Sequence, residues 1–204
     1  MSLVTATPNI LTDPGFLFIA PLNSTEPTHA VLTSTYDADA WPAAWINLGA
    51  TEDGSEFSYE TKVEPVSVAE FFDPIRYSTT ERSGSIAFNM ADVTLKNLSR
   101  ALNSGIGTAA ANPASITTVS GAAATLSSVF TPVAPGSEVR CMIGWESLDH
   151  TMRLVAYKCI NGGSVKITNK KAPALATLAV NFQFEVPSNG IPFKLYAAGT
   201  VRLG

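Results

Sequence analysis

The stretch Arg76–Gly105, RYSTTERSGSIAFNMADVTLKNLSRALNSG, decides how the chain can fold, because its hydrophobic period changes midway. From Ser85 to Met90 apolar and small polar residues alternate, which is typical of a half-buried β-strand. After Met90 the apolar residues recur at helical spacing, which predicts an amphipathic helix over about residues 92–103. Its predicted core positions are Leu95, Leu98 and Leu102. The stretch therefore predicts a long strand that runs into a helix packed against a sheet.

The ends of this helix have recognisable signals. Asp92 is the predicted N-cap, because its carboxylate can accept hydrogen bonds from the first free N–H groups. Gly105 is the predicted left-handed stop. Lys96, Asn97 and Arg100 lie off the apolar stripe, so we expect them to face solvent or a neighbouring subunit. Arg100 is the predicted interface residue.

The remaining chain predicts strands joined by short turns. The segment from Ala176 to Val186 has the cleanest alternation, and Asn161-Gly162-Gly163 is a strong hairpin turn. Consecutive hairpins predict antiparallel sheets closed into a sandwich or barrel. The fold class is therefore mainly β, an antiparallel β-sandwich or barrel-like domain flanked by one α-helix and carrying long loops. The other predicted strands are residues 15–21 (an edge strand), 45–48, 139–145, 152–160, 165–167 and 191–197.

Two long strands, about residues 55–69 and 76–90, have polar faces with no core to contact. In the first strand, the face opposite the polar one carries Phe57, Tyr59, Thr61 and Val63. Residues 76–84 are polar on both faces, which is typical of either a solvated hairpin arm or a strand paired with a neighbouring chain. Pro65 shifts the alternation and predicts a bulge or bend. The side chains left without a core are Glu56, Glu60, Lys62, Glu64, Glu81 and Ser83.

Residues 1–204 predict one domain with two loop-rich additions. The first is an N-terminal arm of about residues 1–41. The second is a low-complexity insertion of about residues 105–136, in which 116–119 and 126–130 could be short strands. We expect residues 22–41 and 105–136 to lie outside the sandwich core.

Composition favours a protein that associates with itself. Charged residues make up 15% of the chain, against about 25% in ordinary soluble domains. A surface with so few charges is poorly equipped to remain monomeric. A secreted or threonine-rich β protein is the alternative that fits the same composition.

Charge and hydropathy argue against several other classes. A net charge of −4 without a basic run argues against binding nucleic acid through its phosphates. No segment approaches the roughly 18 apolar residues of a membrane span. Met1–Ile10 lacks the basic start and apolar run of a secretory signal, so none is expected.

Catalytic signatures are weak throughout. His29 and His150 belong to no metal spacing or nucleophile motif, and His150 is expected to be a solvated turn residue. Ser147 and Asp149 beside it do not make a catalytic triad, which distant segments assemble in a fixed geometry. The sequence therefore predicts no enzyme, no cofactor and no metal site.

Cys141 and Cys159 are too few for a disulfide framework. They lie almost equidistant from the predicted turn near residues 149–150, so a cross-strand contact is possible. Two reduced core thiols are the favoured interpretation.

Several blocks of the sequence resemble the major tail tube proteins of long-tailed bacteriophages, and the opening block resembles those of phages of actinobacteria. The resemblance extends over most of the chain except residues 105–136. The matching blocks are Pro14–Pro21, Trp45–Gly54 (WINLGATEDG), Val63–Glu70 (VEPVSVAE), Phe72–Ile75 (FDPI), Ser85–Leu98 (SIAFNMADVTLKNL), Ile143–Ser147 (IGWES), Asn169–Ala172 (NKKA), Phe182 and Phe184.

The resemblance implies a β-sandwich with a flanking helix, six copies of which form a ring. Stacked rings would form the virion tail tube that conducts double-stranded DNA into the host. The implied partners are further copies of the chain and the tape measure, tail terminator and distal tail proteins. Assembly in the host cytoplasm without a membrane is also implied.

On this interpretation the polar faces of the two long strands line the lumen, through Glu56, Glu60, Lys62, Glu64, Glu81 and Ser83. The rival interpretation is a virion decoration protein or a carbohydrate-binding adhesive module, for which Trp41 and Trp45 could provide a stacking platform, although Trp45 suits the core better. A β-sandwich hydrolase is a weaker rival.

Overall fold

An antiparallel sheet organises the fold, as the alternating segments predict. The computed structural model describes residues 15–27, 41–67, 72–108, 111–120, 126–148, 150, 152–168 and 176–197. These contain the strands β1 (Phe16–Pro21), β2 (Ile46–Asn47), β3 (Thr51–Val66), β4 (Arg76–Met90), β5 (Ile116–Ser120), β6 (Leu126–Phe130), β7 (Cys141–Glu146), β8 (Met152–Asn161), β9 (Lys166–Thr168), β10 (Thr177–Phe184) and β11 (Phe193–Ala197), and the helix α1 (Leu95–Ala101).

The sheet is sandwich-like because β8 changes its neighbour partway along. Its strand order is β2-β1-β7-β8-β10-β4-β3. On one side β8 pairs with β7, while on the other its first half pairs with β11 and its last residues pair with β10. The half that contains β1 and β7 thereby packs against the half that contains β4 and β10. The strands among the described residues do not close into a barrel.

The main core lies between these two halves. Each strand contributes the residues of one face, as a period of two requires. β4 contributes the alternating residues found in the sequence, and all three have at most 5% of their surface exposed. The contributing residues include Leu17 and Ile19 of β1, Ile86, Phe88 and Met90 of β4, Ile143 of β7, and Leu178, Val180 and Phe182 of β10.

A second apolar cluster covers the opposite face of β1, β7 and β8. It contains Phe18, Met142 and Val155, over which Trp41 and Trp45 pack. The predicted edge strand β1 is therefore central, paired with both β2 and β7, and buried on both faces. Its continuous apolar run, FLFIA, is what a strand covered on both faces needs.

Two strand pairings differ from the simple hairpins that the turns predict. β9 pairs with β10 and β11 pairs with β8, so neither pairs with the strand just before it in the chain. The side chain of Asn161 explains the first case, because its Oδ1 accepts hydrogen bonds from Asn181 N at 2.9 Å and Gly163 N at 3.3 Å. This side chain links the end of β8 to β10 and directs the following turn along β10.

Helix α1 is shorter than predicted. Its N-cap is Thr94, whose hydroxyl accepts a hydrogen bond from Asn97 N, so the prediction of Asp92 is wrong. Asn103 supplies the left-handed residue after the helix, with φ 53°, before the predicted stop at Gly105. In the described part of the chain, no helix is long and apolar enough to cross a membrane.

The predicted insertion lies partly outside the core. Strands β5 and β6 form a separate two-stranded sheet, as its sequence suggested. Ile106, however, belongs to the main core cluster, which corrects the prediction at that position. Ser115 hydrogen-bonds Ser99 of α1 at 2.7 Å between hydroxyls, so the described hairpin packs on the helix.

Candidate assembly surface

The β3–β4 hairpin projects from the sandwich as an exposed arm, which we define as residues 56–66 and 76–83. Thirteen pairs of facing residues join the two strands, from Thr51 and Met90 at the core to Val66 and Arg76 at the far end. Nearly every arm residue is exposed, whichever face it occupies. At about 3.3 Å per residue, the arm reaches roughly 30 Å beyond the core. In the single chain the hairpin is thus a solvated arm, which is one of the two alternatives predicted from the sequence.

One face of the arm carries the six residues predicted to line a lumen. Glu60 lies opposite Ser83, and Lys62 lies opposite Glu81, so these side chains share a face. Lys62 Nζ is 3.8 Å from Glu64 Oε1 in an exposed ion pair. The structure brings Glu56, Glu60, Lys62, Glu64, Glu81 and Ser83 together on one exposed, mainly acidic face of a single hairpin.

The other face of the arm carries apolar side chains between polar ones such as Thr61 and Arg82, and its β3 part follows the alternation predicted from the sequence. Phe57 and Tyr59 near the root and Val63 further out have exposed fractions of 41%, 37% and 51%. Tyr77, opposite Pro65, has 68% of its surface exposed. We call these four residues the apolar stripe of the arm.

A β-bulge explains why the sequence did not predict Tyr77 on this face. The register shifts between the pairs Lys62–Glu81 and Val63–Thr79, so Thr80 is an extra residue on β4. An extra residue reverses the facing of everything beyond it, and this places Tyr77 on the apolar face. The predicted irregularity near Pro65 is real, but its extra residue lies on the partner strand. A polar run such as Arg76–Gly84 gives no apolar period from which to detect it.

The root of the arm is fixed by aromatic packing. Tyr59 and Phe57 contact Phe193 of β11 with ring centroids 5.0 and 5.1 Å apart. Gly84 leaves room for this contact, since a Cβ there would lie 2.7 Å from Phe184 and 2.8 Å from Tyr59. The arm therefore leaves the sandwich in a direction set by packed rings.

Helix α1 buries a different set of residues from the one predicted. Leu98 is partly buried against the main core, and Leu102 is half-buried at the C-cap. The prediction for Leu95 is wrong, because 39% of its surface is exposed. The helix begins at Leu95, so this residue lies at its open end.

Arg100 was predicted to face solvent or the next subunit, and that prediction is also wrong for the isolated chain. Its exposed fraction is 6%. Its Nε donates to Ile106 O at 3.0 Å, and its Nη1 donates to Asn97 Oδ1 at 2.7 Å. Burial lowers the pKa of Arg100, and Asp92 opposes that shift. The polar face of α1 is buried because its side chains donate hydrogen bonds to backbone carbonyls of the adjoining loops.

Glu146 and His150 form a buried polar cluster that the sequence did not predict. Glu146 is fully buried, and its Oε1 is 2.8 Å from His150 Nδ1 and 2.9 Å from an Arg153 Nη2 donor. Trp41 Nε1 donates to its other carboxylate oxygen. Only 17% of the His150 side chain is exposed, so the expectation of a solvated turn histidine is wrong. These hydrogen bonds compensate for the loss of water around the buried carboxylate. The bond from Trp41 also holds its ring over the second cluster.

Beside this cluster, the Ser147 hydroxyl lies in the turn between β7 and β8. Ser147 Oγ accepts a hydrogen bond from Met152 N at 2.9 Å, which uses the hydroxyl to close the β7–β8 turn. His29 and Asp149 lie outside the described residues. Among the residues that are described, no group of three or more His, Cys, Asp or Glu side chains could hold a metal ion.

Cys141 and Cys159 face each other on β7 and β8 as free, buried thiols. Burial raises the pKa of both thiols, so neither is an activated nucleophile. The cross-strand contact and the reduced state were both considered from the sequence, and the structure contains both.

Trp41 and Trp45 pack over the second apolar cluster. Trp45 is buried, and Trp41 stacks on Phe18 with ring centroids 4.3 Å apart. Gly144 of β7 lies directly beneath the Trp41 ring, where a Cβ would collide with it. The prediction that Trp45 belongs to the core is confirmed, which weakens the carbohydrate-binding interpretation.

Comparison with protein-family models and with curated proteins gives no match for this chain.

Proposed function

We propose that this chain is a structural virion protein that assembles with copies of itself into the tail tube of a long-tailed phage. The observation that carries the proposal is the apolar stripe of the arm. Four large apolar side chains along a projecting hairpin are open to water over 37–68% of their surface. Exposed apolar surface on a rigid, shaped element is characteristic of a protein interface.

The outer edge of β3 supports the same proposal. β3 ends the described strand order, and it is 16 residues long. A long unpaired edge presents a row of N–H and C=O groups, which makes it a template for another strand. Pairing with a neighbouring copy would satisfy these groups and extend the sheet, which places side chains of that copy beside the apolar stripe.

The acidic face of the arm suits a conduit for DNA. If β3 and β4 line a ring, Glu56, Glu60, Glu64 and Glu81 would face the passage beside Lys62. Six chains of net charge −4 would give a ring of charge −24. Such a lining repels duplex DNA, which therefore passes through without being retained. The family resemblance is the basis for hexameric symmetry. It is also the basis for the proposed partners, which are the tape measure, tail terminator and distal tail proteins.

The first test is the assembly state of the purified full chain over a range of concentrations. We expect sedimentation velocity to show large species at high concentration and negative-stain electron microscopy to show rings or tubes. A chain that remains monomeric at all accessible concentrations would contradict the proposal and favour an isolated decoration or binding module.

A substitution on the stripe tests whether the arm drives assembly. Val63→Asp places a charge on the exposed apolar face, so we expect an unchanged circular dichroism spectrum and a large loss of assembly. Val186→Asp is the matched control, since Val186 is 73% exposed outside the arm. Equal effects of the two substitutions would remove the support that the stripe provides.

A further inference from the structure

The tip of the arm, residues 72–75, is an apolar knob with one carboxylate. Phe72 is fully exposed, and Ile75 is 53% exposed. Ile75 N donates to Val66 O at 3.0 Å, which anchors the tip to the end of β3. Asp73 lies between these two apolar side chains in the sequence. This surface combines two exposed apolar side chains with one carboxylate. A complementary binding site would be a recess that has apolar walls and a positively charged side chain.

A cleft of about 580 Å³ beside α1 has both properties. This volume lies in the range of roughly 300–1,000 Å³ that is typical of binding pockets. Arg100, held by its two hydrogen bonds, lies in the cleft wall at a fixed position. We call this recess the α1 cleft. The lining residues that matter here are Ile46, Leu95 and Ile116 as apolar groups, Lys96 and Arg100 as cations, and Asp92 as a carboxylate.

Charge distinguishes the α1 cleft from two other recesses. A cleft beside β3, β4 and β10 is lined by Asp53 and Glu56, and another beside Tyr157 is lined by Glu26. Neither lining includes a lysine or an arginine. The first cleft would repel the Asp73 carboxylate, and Glu26 of the second is already paired with Lys194 at 3.1 Å, whereas the α1 cleft has two cations against one carboxylate.

The tip and the α1 cleft lie at opposite ends of β4. The strand starts next to the tip at Arg76, ends at Met90, and is followed by α1 from Leu95. Its 15 residues span about 50 Å at roughly 3.3 Å per residue. The tip therefore cannot reach the cleft of its own chain. A contact between unlike surfaces at opposite ends of a subunit joins copies head to tail, and it leaves both ends free for further copies.

We propose that the α1 cleft receives the Phe72–Ile75 tip of a second copy, with Asp73 facing Lys96 and Arg100. This inference rests on the proposed function, which it deepens by naming the two surfaces in contact. Phe72 and Ile75 would pack against Leu95, Ile46 and Ile116. The open position of Leu95 at the start of the helix then has a role as part of a binding surface.

A charge exchange across the contact provides the test. Asp73→Lys alone and Lys96→Glu alone should each raise the concentration needed for assembly by about tenfold or more, because each brings like charges together. The double variant Asp73→Lys with Lys96→Glu should return it to within about threefold of the unchanged protein, since the opposite charges face each other again. Assembly would be measured by sedimentation velocity on the full chain.

Lys166→Glu is the matched control for Lys96→Glu, because Lys166 is an exposed lysine on β9. It should leave assembly unchanged, and circular dichroism should show all four variants folded. Single variants that assemble normally, or a double variant without recovery, would overturn this contact while leaving the proposed function intact. An unchanged protein that never assembles would overturn the proposed function itself.

Discussion

At the scale of single residues, the most informative group is the buried carboxylate of Glu146. Its position in the sequence, at the end of an alternating strand, suggested an outward residue. It lies inward because Trp41, His150 and Arg153 supply donors that come from three separate parts of the chain. A pattern along one strand cannot reveal such partners, since only the tertiary fold brings them together.

Neutralising Glu146 should be costly. Glu146→Gln takes the negative charge away from the 97%-buried Arg153, and losing one member of a buried pair costs about 3–5 kcal/mol of unfolding free energy. Urea unfolding followed by circular dichroism measures the change. Glu60→Gln, on the exposed arm, is the matched control and should leave stability unchanged. Equal stability of the two variants would mean that the buried cluster contributes nothing.

At the scale of elements, the helix gives a sharp comparison between two leucines. Leu98 packs on the main core, so Leu98→Ala should lower the unfolding free energy by about 2–3 kcal/mol through lost burial and a residual cavity. Leu95 is largely exposed in the isolated chain, and Leu95→Ala should change it by no more than about 0.5 kcal/mol. Urea unfolding at concentrations where the chain is monomeric makes this comparison. Equal losses would place Leu95 in the core after all.

The ion pairs that Glu185 forms with Lys158 and Arg140 predict that the stability of the fold depends on pH. Lys158 Nζ lies 2.8 Å from Glu185 Oε2, and Arg140 Nη2 lies 3.4 Å from Oε1. The hydrogen bond from Lys158 lowers the pKa of Glu185 most, burial opposes the shift, and Arg140 lowers it further. A lowered folded-state pKa gives stability that is present above the unfolded-state pKa of about 4.3 and is lost as the pH falls through the folded-state value.

Glu185→Gln should therefore reduce the fall in melting temperature between pH 6 and pH 3. Thermal unfolding at a series of pH values measures that fall for the variant and the unchanged protein. Glu64→Gln on the arm is the control and should leave the pH profile as it was. A Glu185→Gln profile that coincides with that of the unchanged protein would show that these ion pairs do not contribute.

The strands also show how far periodicity can predict structure. β4 and β10 follow their alternation closely, because each buries one face against the main core. The partner of β9 could not be predicted, since Asn161 directs the chain through contacts distant in sequence. The pairing of β11 with β8 likewise joins segments that are distant in the sequence. The facing of Tyr77 depends on the extra residue Thr80, which has no apolar signature.

At the scale of the whole molecule, the sequence predicted a mainly β, sandwich-like fold with one helix, and the structure confirms it. The projecting acidic face was also identified from its six polar residues. The position of Tyr77 on the apolar stripe and the α1 cleft were not predicted. Both arise where separate segments meet, so composition and spacing within one segment do not indicate them.

The β5–β6 sheet should be dispensable for folding. Replacing residues 108–130 with a short turn removes Ile116 and the Ser99–Ser115 hydrogen bond, but it leaves Ile106 and the main core in place. We expect the β signal in circular dichroism to persist, with a modest loss of stability. A collapse of that signal would show that the hairpin is part of the folding unit.

The double burial of β7 and β8 has a consequence for amide hydrogen exchange. Both faces of these strands are covered, and β8 has neighbours along both edges. Their amides should exchange with deuterium only when the whole domain unfolds, whereas those of the arm should exchange through local opening. The same experiment would follow assembly directly, because protection should then appear along β3 and leave the already slow amides of β7 and β8 unchanged.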